Sequence, residues 1–554
     1  NVEDIYMKLK TPCNNAPPTV HIHKKFVAVT DTITRAVEGR KRPRKGGDES
    51  QSQISRTKLR NLLKRKAKKR ARGSADEQEL LKETIVSSLL DNTRTNIQKR
   101  KKSSQSCDPS SAYLDEPKRA PIVRRAKKYM NSVLIRNGFS ASSSSKKSFH
   151  VTIGAKQHWR TVSKLAVRRG YSSSDGSSIL QIGLFKPKSH DVVPLPNSTA
   201  HHPSINLAIP IIQQACMDCK VQAFSERDGT GQLRYLAINV ERSTGALQIT
   251  LVWNGSSEDQ GADKAVLDAL IQNILSLTDT SSSWVTTVEV PHQHFKLHSL
   301  WVHYHAASKH DNAIFGRDSN SWKCVYGPPS IGETVEIATG ENDDSSKCPY
   351  RVTLEFPPNV FRQANIDAFG RIIGVIRKRI VQFNTENIAM NGKNSLLPSC
   401  VELYGGVGTI GLHLVDLTSK FVSSDENPYN VACFQKAASA LPKNLQSRVS
   451  YVSKNAADMI ADGVLSQAEL CIVDPPRKGL DQEVLDVLVG NLHRLPKMLV
   501  YVSCGFQSFE RDCNRLLQSG TWTLEHAEGF LLFPGSDAIE TLAFFVRKNL
   551  EKLH

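Results

Sequence analysis

The sequence predicts an α/β protein. A Rossmann-like domain closes the chain, an α+β domain precedes it, and a basic, largely disordered region comes first. Three observations lead there. From about residue 356 onward, apolar segments alternate between helical and strand patterns, as a parallel sheet covered on both faces requires. Between about 150 and 355, short apolar or alternating runs are bounded by turn residues. Residues 1 to about 120 carry dense like charge with little apolar content, which opposes a packed core. The expected divisions are 1–120, 121–355 and 356–554.

The chain has 554 residues, with 73 Lys and Arg against 54 Asp and Glu, a formal net charge of +19. That balance favours a polyanionic partner, nucleic acid first. Arg40–Lys45 is one basic block, and 56–72 is denser, with ten basic residues in seventeen. Such runs read as RNA-backbone binding, nuclear import or a solubilising tail; charge alone does not separate these. A short helix is expected at Ala75–Leu90 and another at Arg124–Asn137, closed by Gly138. Ser142–Ser145 then reads as a linker. Eleven scattered cysteines are too sparse for a disulfide scaffold and fit a reducing compartment. Cys216 and Cys219, i and i+3 on an expected helix, lack a second pair and read as packing residues, so no metal is expected. No apolar run reaches membrane-span length, so no membrane partner is expected. The expected localisation is intracellular: nucleus, nucleolus or an organelle.

In the middle region, Ser163–Val167, Ile179–Phe185, Leu233–Val240 and Leu247–Trp253 read as strands and Ala265–Leu277 as an amphipathic helix, giving an antiparallel sheet with helices. Further on, Ile366–Phe383 reads as a long helix. Cys400–Tyr404 is a strand, followed by glycines and a helix. Lys420–Ser424, Leu470–Val473 and Met498–Ser503 are strands, with a helix at Pro428–Ala440 and a final strand at Thr541–Val546.

The run Val401–Gly411 carries the chemistry of a nucleotide-cofactor site. Gly406, Gly408 and Gly411 satisfy G-x-G-x-x-G after a strand, where missing side chains let a ligand approach the backbone. The motif serves dinucleotides and S-adenosylmethionine (SAM) alike. Asp425, ending the next strand, is placed to accept ribose hydroxyls. Asp474-Pro475-Pro476-Arg477 ends a later strand, where rigid prolines fix a carboxylate and a guanidinium at the carboxyl edge of the sheet. A dehydrogenase does not call for that second motif, and its presence favours SAM.

These segments resemble, in order, the SAM-dependent RNA (uracil-5-)-methyltransferases. Phe361-Arg362-Gln363-Ala364-Asn365 is similar to the family's F-x-Q-x-N. Leu403–Gly408 resembles its L-Y-C-G-x-G loop, and Asp474–Leu480 its D-P-P-R-x-G-L. Tyr501-Val502-Ser503-Cys504 with Arg511-Asp512 resembles Y-x-S-C-N…R-D, and Phe533-Pro534 with Glu540 resembles F-P-x-T-x-H-x-E. Ser225-Glu226, Gly231 and Leu233-Arg234 are similar to the family's central domain. The resemblance spans roughly 150–548.

It implies a Rossmann-like SAM-dependent methyltransferase domain and roles by position. Gln363, Tyr404, Gly406, Gly408, Asp425 and Asp474 would hold SAM, and Arg477 would place the uridine or its phosphate. Cys504 would be the nucleophile and Glu540 the base, and the partner would be tRNA or rRNA, bound by a monomeric chain. The thiolate would attack carbon 6 of uracil, making carbon 5 able to take a methyl group, and Glu540 would then remove the carbon 5 proton. The base must leave its stack to reach the thiol. Three departures stand out: Gly505 for Asn, Leu531 for Asp and Ala538 for His. They keep two other readings open, an RNA methyltransferase without covalent catalysis and a catalytically impaired RNA-binding factor. Only Cys13 and Cys107 lie upstream of the central region, so no iron–sulfur cluster is expected.

Overall fold

The computed structural model describes residues 108, 110–136, 149–171, 178–186, 189–195, 197–278, 295–306, 319–337, 347–391, 396–490 and 495–548. The basic blocks, the expected helix at 75–90 and the serine linker lie outside the described residues. Residues 110–120, expected to be disordered, instead form turns ending in a short 3-10 segment, Pro117–Arg119. Distant partners order them. The buried Asp108 carboxylate accepts from the Ser110 backbone N–H at 2.8 Å and from the Ser198 hydroxyl at 2.6 Å, and the Tyr113 N–H donates to the Gly535 carbonyl at 2.8 Å.

Helix α1 (Pro121–Arg136) follows. Val123, Ala126, Met130, Val133 and Leu134 form one stripe at helical spacing, and all are buried in the core of the C-terminal sheet. Strand β1 (His150–Ile153) joins that sheet too.

The central sheet is built from β2 (Val162–Tyr171), β3 (Ser178–Phe185), β4 (Val192–Pro194), β5 (Leu233–Val240), β6 (Leu247–Trp253), β7 (Leu297–Tyr304) and β8 (Trp322–Tyr326), in the order β4-β3-β2-β5-β6-β7-β8. Helices α2 (Pro203–Asp218) and α3 (Ala262–Ser276) share one hydrophobic core with it. The sheet is mixed where antiparallel pairing was expected throughout: β6 and β7 run parallel. The reason is α3, which lies between them in the chain and returns it to the same end of the sheet. Cys216 is buried in α2 and Cys219 ends that helix.

A hairpin, β9 (Ile331–Thr334) with β10 (Thr353–Phe356), leads into α4 (Ile366–Asn391). The remaining elements are β11 (Ser399–Leu403), β12 (Lys420–Ser424), α5 (Tyr429–Ser439), α6 (Lys443–Gln446), β13 (Val449–Val452), α7 (Ala456–Ala461), β14 (Leu470–Val473), α8 (Gln482–Val489), β15 (Met498–Ser503), α9 (Phe506–Gln518), β16 (Trp522–Leu531) and β17 (Glu540–Arg547). They form one sheet in the order β1-β16-β17-β15-β14-β11-β12-β13, parallel except for β17, with a hydrophobic core on each face. The run β13-β12-β11-β14-β15 is the Rossmann arrangement, and the reversed β17 beside β15 gives the SAM-dependent methyltransferase fold. Its topological switch lies between β11 and β14, where open α/β sheets bind ligands.

One expected element is absent. The chain after the glycine loop forms no α-helix, only two 3-10 turns, Gly411–His413 and Val415–Leu417. Neighbouring side chains take carbonyls that a helix would need. The Tyr350 hydroxyl donates to Leu412 O at 2.9 Å, Asn384 Nδ2 donates to Leu417 O at 3.1 Å, and Arg377 donates to His413 O. Arg377 also grips the Asp416 carboxylate through both guanidinium nitrogens.

The central and C-terminal sheets are tied through buried charge. Glu333 accepts from Arg242 Nε at 2.9 Å and also pairs with Arg362, while Arg242 reaches Asp367 on α4.

Candidate active site

The carboxyl ends of β11, β12, β14 and β15 and the start of β17 meet along one edge. Tyr404, first in the loop after β11, adopts a left-handed backbone (φ 61°), unusual for a side-chain-bearing residue. Its hydroxyl donates to the Asp481 carboxylate at 2.9 Å and so anchors the loop to the start of α8. Gly406 (φ 56°) has open space where a Cβ would stand, whereas one at Gly408 (φ 86°) would strike the Phe434 ring. Gly408 is thus glycine for packing, and Gly406 leaves backbone accessible to a ligand.

Two carboxylates stabilise this loop. Asp425, just past β12, accepts from the Gly406 N–H at 3.1 Å, from the Asn427 N–H at 2.8 Å and from Asn430 Nδ2 at 3.0 Å. Glu402, fully buried on β11, accepts from the Gly411 N–H at 3.0 Å and the Ser423 hydroxyl at 2.6 Å. Burial pushes Glu402 up to about 8, with the charges of Asp474 and Asp425 adding to the rise. Glu402 was given no role from the sequence. Its signal was there: a carboxylate on an otherwise apolar strand needs buried partners.

The Asp474–Leu480 turn is pinned from behind. Asp512 on α9, fully buried, accepts from the Leu480 N–H at 3.0 Å, the Tyr501 hydroxyl at 2.8 Å and Arg511 Nε at 2.7 Å. Gly479 (φ 84°) passes so close that a Cβ would collide with that carboxylate. The Ser508 hydroxyl donates to Arg477 O at 2.6 Å. Gly505 has its own packing reason, since a Cβ there would collide with the same Arg477 carbonyl. The departure at 505 therefore accompanies a close approach of two backbones.

Cys504 and Glu540 come together through strand register. In the β15–β17 ladder Ser503 pairs with Thr541, so Cys504, which follows Ser503, and Glu540, which precedes Thr541, lie opposite one another. With Arg477, Leu532, Phe533, Ala538 and Ile539 they line a small cleft open to solvent. Burial pushes the Cys504 thiol up to about 11, and the charges of Glu540 and Asp474 add to it; Arg477 opposes the rise. Burial likewise pushes Glu540 up to about 8, with Asp474 adding and Arg477 opposing, and Asp474 to about 7.

Of the nine residues singled out from sequence, Cys504, Glu540 and Arg477 share this cleft, and Asp474 acts electrostatically on the first two. Gly406 and Asp425 are hydrogen-bonded to each other. Gly408 packs against α5 through Phe434, and Tyr404 is turned to Asp481. Gln363 is half-buried on the loop before α4, next to Asn365, whose side chain donates to the Leu532 carbonyl of the cleft wall at 2.7 Å.

The edge suits a cationic, ribose-bearing ligand. The Asp425 carboxylate lies beside the accessible Gly406 backbone; its Oδ1 accepts two bonds, but its Oδ2 accepts only from the Gly406 N–H and keeps lone-pair capacity. Among the described residues no group of three or more His, Cys, Asp or Glu could hold a metal ion, and no helix is long and apolar enough to cross a membrane.

No family model matches the chain. Similar proteins are found among bacteria. One from Protochlamydia amoebophila, described as an uncharacterized RNA methyltransferase, is 31% identical over 398 residues, covering 71% of this chain and 87% of its own length. One from Nostoc, described in the same way, is 24% identical over 368 residues, 66% of this chain and 67% of its own. Among solved structures, the Pyrococcus abyssi tRNA (uracil-54, C5)-methyltransferase in complex with S-adenosyl-L-homocysteine aligns over 77% of this chain and 83% of its own, at 17% identity and a TM-score of 0.48. On the extent and identity of its match to the Protochlamydia protein, the chain belongs to the RNA methyltransferases.

Proposed function

We propose that this enzyme methylates carbon 5 of a uridine in tRNA or rRNA, with Cys504 as a transient covalent catalyst. The observation that carries the reading is the opposition of Cys504 and Glu540 across one cleft, with Arg477 beside them. A ring-nitrogen methyltransferase has no need of a thiol facing a carboxylate.

In this reading the Cys504 thiol first loses its proton to solvent. Arg477 favours the thiolate, and so does the amino-terminal end of α9, which starts two residues later. The sulfur bonds to carbon 6 of an extruded uracil, and the ring π electrons move toward oxygen 4, making carbon 5 nucleophilic. S-adenosylmethionine, when bound, supplies the methyl group and the positive charge of its sulfonium. Gly406 and the carboxylates of Asp425 and Asp474 would hold it, joined by Gln363 and Tyr404. Glu540 as carboxylate takes the proton from carbon 5, and the carbon 6–sulfur bond breaks to restore the ring double bond. The side chains of Leu532, Phe533, Ala538 and Ile539 offer the extruded base an apolar wall.

The test is trapping on RNA containing 5-fluorouridine, where carbon 5 has no proton to give up. An adduct stable to denaturation is expected with the wild-type protein and none with Cys504→Ala. Methylated ring nitrogen in nucleosides from treated RNA, without an adduct, would sink the reading.

A further inference from the structure

The segment from Pro117 to Arg136 contains seven Lys or Arg among twenty residues and no Asp or Glu. Arg119 pairs with Glu116 at 2.8 Å and Arg125 with Glu510 at 2.6 Å. Lys118, Arg124, Lys127, Lys128 and Arg136 have no carboxylate at ion-pair distance among the described residues. All but the half-buried Lys127 are exposed. The opposite side of α1 is buried through Val123, Ala126, Met130 and Val133, so the helix cannot turn its charges elsewhere.

The position of this ridge matters as much as its charge. The Asp537 carboxylate accepts from the Ile122 N–H at 2.8 Å, and Gly535 O accepts from the Tyr113 N–H at 2.8 Å. The start of α1 is therefore fastened to the 533–540 segment, which supplies Phe533, Ala538, Ile539 and Glu540 to the cleft. Tyr129 fixes the helix further along, donating to Asn514 Oδ1 at 2.9 Å and packing edge-on against Phe506, two residues from Cys504. A cationic face about 24 Å long is thus held rigidly beside the cleft.

We propose that the outer face of α1 is a binding ridge for the RNA backbone, gripping phosphates that flank the target nucleotide. The proposal rests on the RNA reading of the cleft. An ordinary solvated face would carry acids as well as bases and would need no fastening to the catalytic loop. Phosphate contacts of this kind position the substrate without reading its sequence.

The test is fluorescence anisotropy of bulk tRNA, labelled with fluorescein at its 3′ end, against the full chain over a salt series. Arg124→Glu/Lys128→Glu should weaken binding by about tenfold and flatten the logarithmic salt slope by about 1 per cation removed. Arg124→Gln/Lys128→Gln should give a smaller change of the same sign. Lys420→Glu/Lys443→Glu, exposed on β12 and α6, should change neither. SAM binding by calorimetry should stay unchanged in all three. Wild-type affinity and slope in the first variant would overturn the ridge, as would an equal loss in the distal one. So would loss of binding to phosphatidylserine vesicles with RNA binding intact, which would assign the face to membranes. Because binding is read without turnover, a failed ridge and a failed methylation assay remain separable.

Discussion

Cys504 faces Glu540 at the place where the β15–β17 ladder ends on Ser503 and Thr541. Because β17 is the one reversed strand among its neighbours, a residue that follows β15 meets one that begins β17. A parallel strand in that position would bring its carboxyl end to the cleft instead. The reversal thus delivers a thiol and a carboxylate from opposite chain directions to one point. The proximity has an electrostatic cost, since the Glu540 charge adds to the proton affinity of Cys504.

That cost makes Glu540→Gln informative in two ways. If Glu540 takes the carbon 5 proton, the variant should form the adduct with unmodified RNA and release it slowly, giving an RNA–protein band stable to denaturation where wild type gives little. The same variant should gain thermal stability at high pH. Glu540 has its folded pKa raised to about 8 from an ordinary value near 4.5. Its stabilising contribution is complete below the ordinary value and is lost as pH rises through 8. Melting temperatures at pH 5 and pH 9 check this: the gain of Gln over Glu should be small at pH 5 and about a few degrees at pH 9. No adduct and no pH-dependent gain would remove Glu540 from the role.

Activity should rise with pH across the neutral range. In the proposed mechanism Cys504 must shed a proton held up to about 11, and Glu540 must be ionised to act as base, with its proton held up to about 8. Single-turnover rates with saturating RNA and SAM should therefore climb steeply between pH 6.5 and 8.5, and the rise should become shallower without stopping once Glu540 has ionised, because the Cys504 thiol is still mostly protonated there. In Arg477→Gln, which removes the cation opposing both rises, the profile should move to higher pH. A profile flat from pH 6.5 to 8.5 would contradict the assigned pair.

Much of this edge was legible in the sequence because its residues sit where strand periodicity breaks. Cys504 follows an apolar run, Asp425 ends another, and Asp474 precedes two prolines. Features that depend on distant partners were not legible. The apolar stripe of α1 announces a buried face but not that it rests against β16 and α9 in the core of the C-terminal sheet. β1 pairs with β16 across more than three hundred residues, and nothing in His150–Ile153 specifies that edge. The glycine loop reads as a helix start, yet Tyr350, Arg377 and Asn384 claim its carbonyls. Glu402 was visible as an acid in a buried strand, but its Ser423 partner lies on the next strand.

Asp512 should be among the more costly positions to alter outside the cleft. It is fully buried and satisfies a backbone N–H, a phenol and a guanidinium at once. Asp512→Ala would leave the Leu480 N–H and the Tyr501 hydroxyl without an acceptor and loosen the turn carrying Arg477. A loss of about 3–5 kcal/mol is expected from breaking a buried charged network. Urea unfolding measures it, and a change under about 1 kcal/mol would mean that the turn is held by other contacts.

Gly505→Asn, which installs the residue that the resembling family carries, should impair this protein. The new Cβ would collide with the Arg477 carbonyl and crowd the Ser508 hydroxyl. The backbone there has φ −118°, comfortable for any residue, so the penalty comes from contact rather than conformation. Overpacking of this kind costs about 1–3 kcal/mol. Relief requires the Asp474–Arg477 turn to withdraw from α9, which would displace Arg477 from Cys504. The expected result is lower thermal stability together with slower adduct formation on 5-fluorouridine RNA, while Gly505→Ala, with a Cβ alone, shows the same two defects in milder form. Full stability and faster trapping in Gly505→Asn would show that the two backbones can separate freely and that asparagine supplies something this cleft lacks.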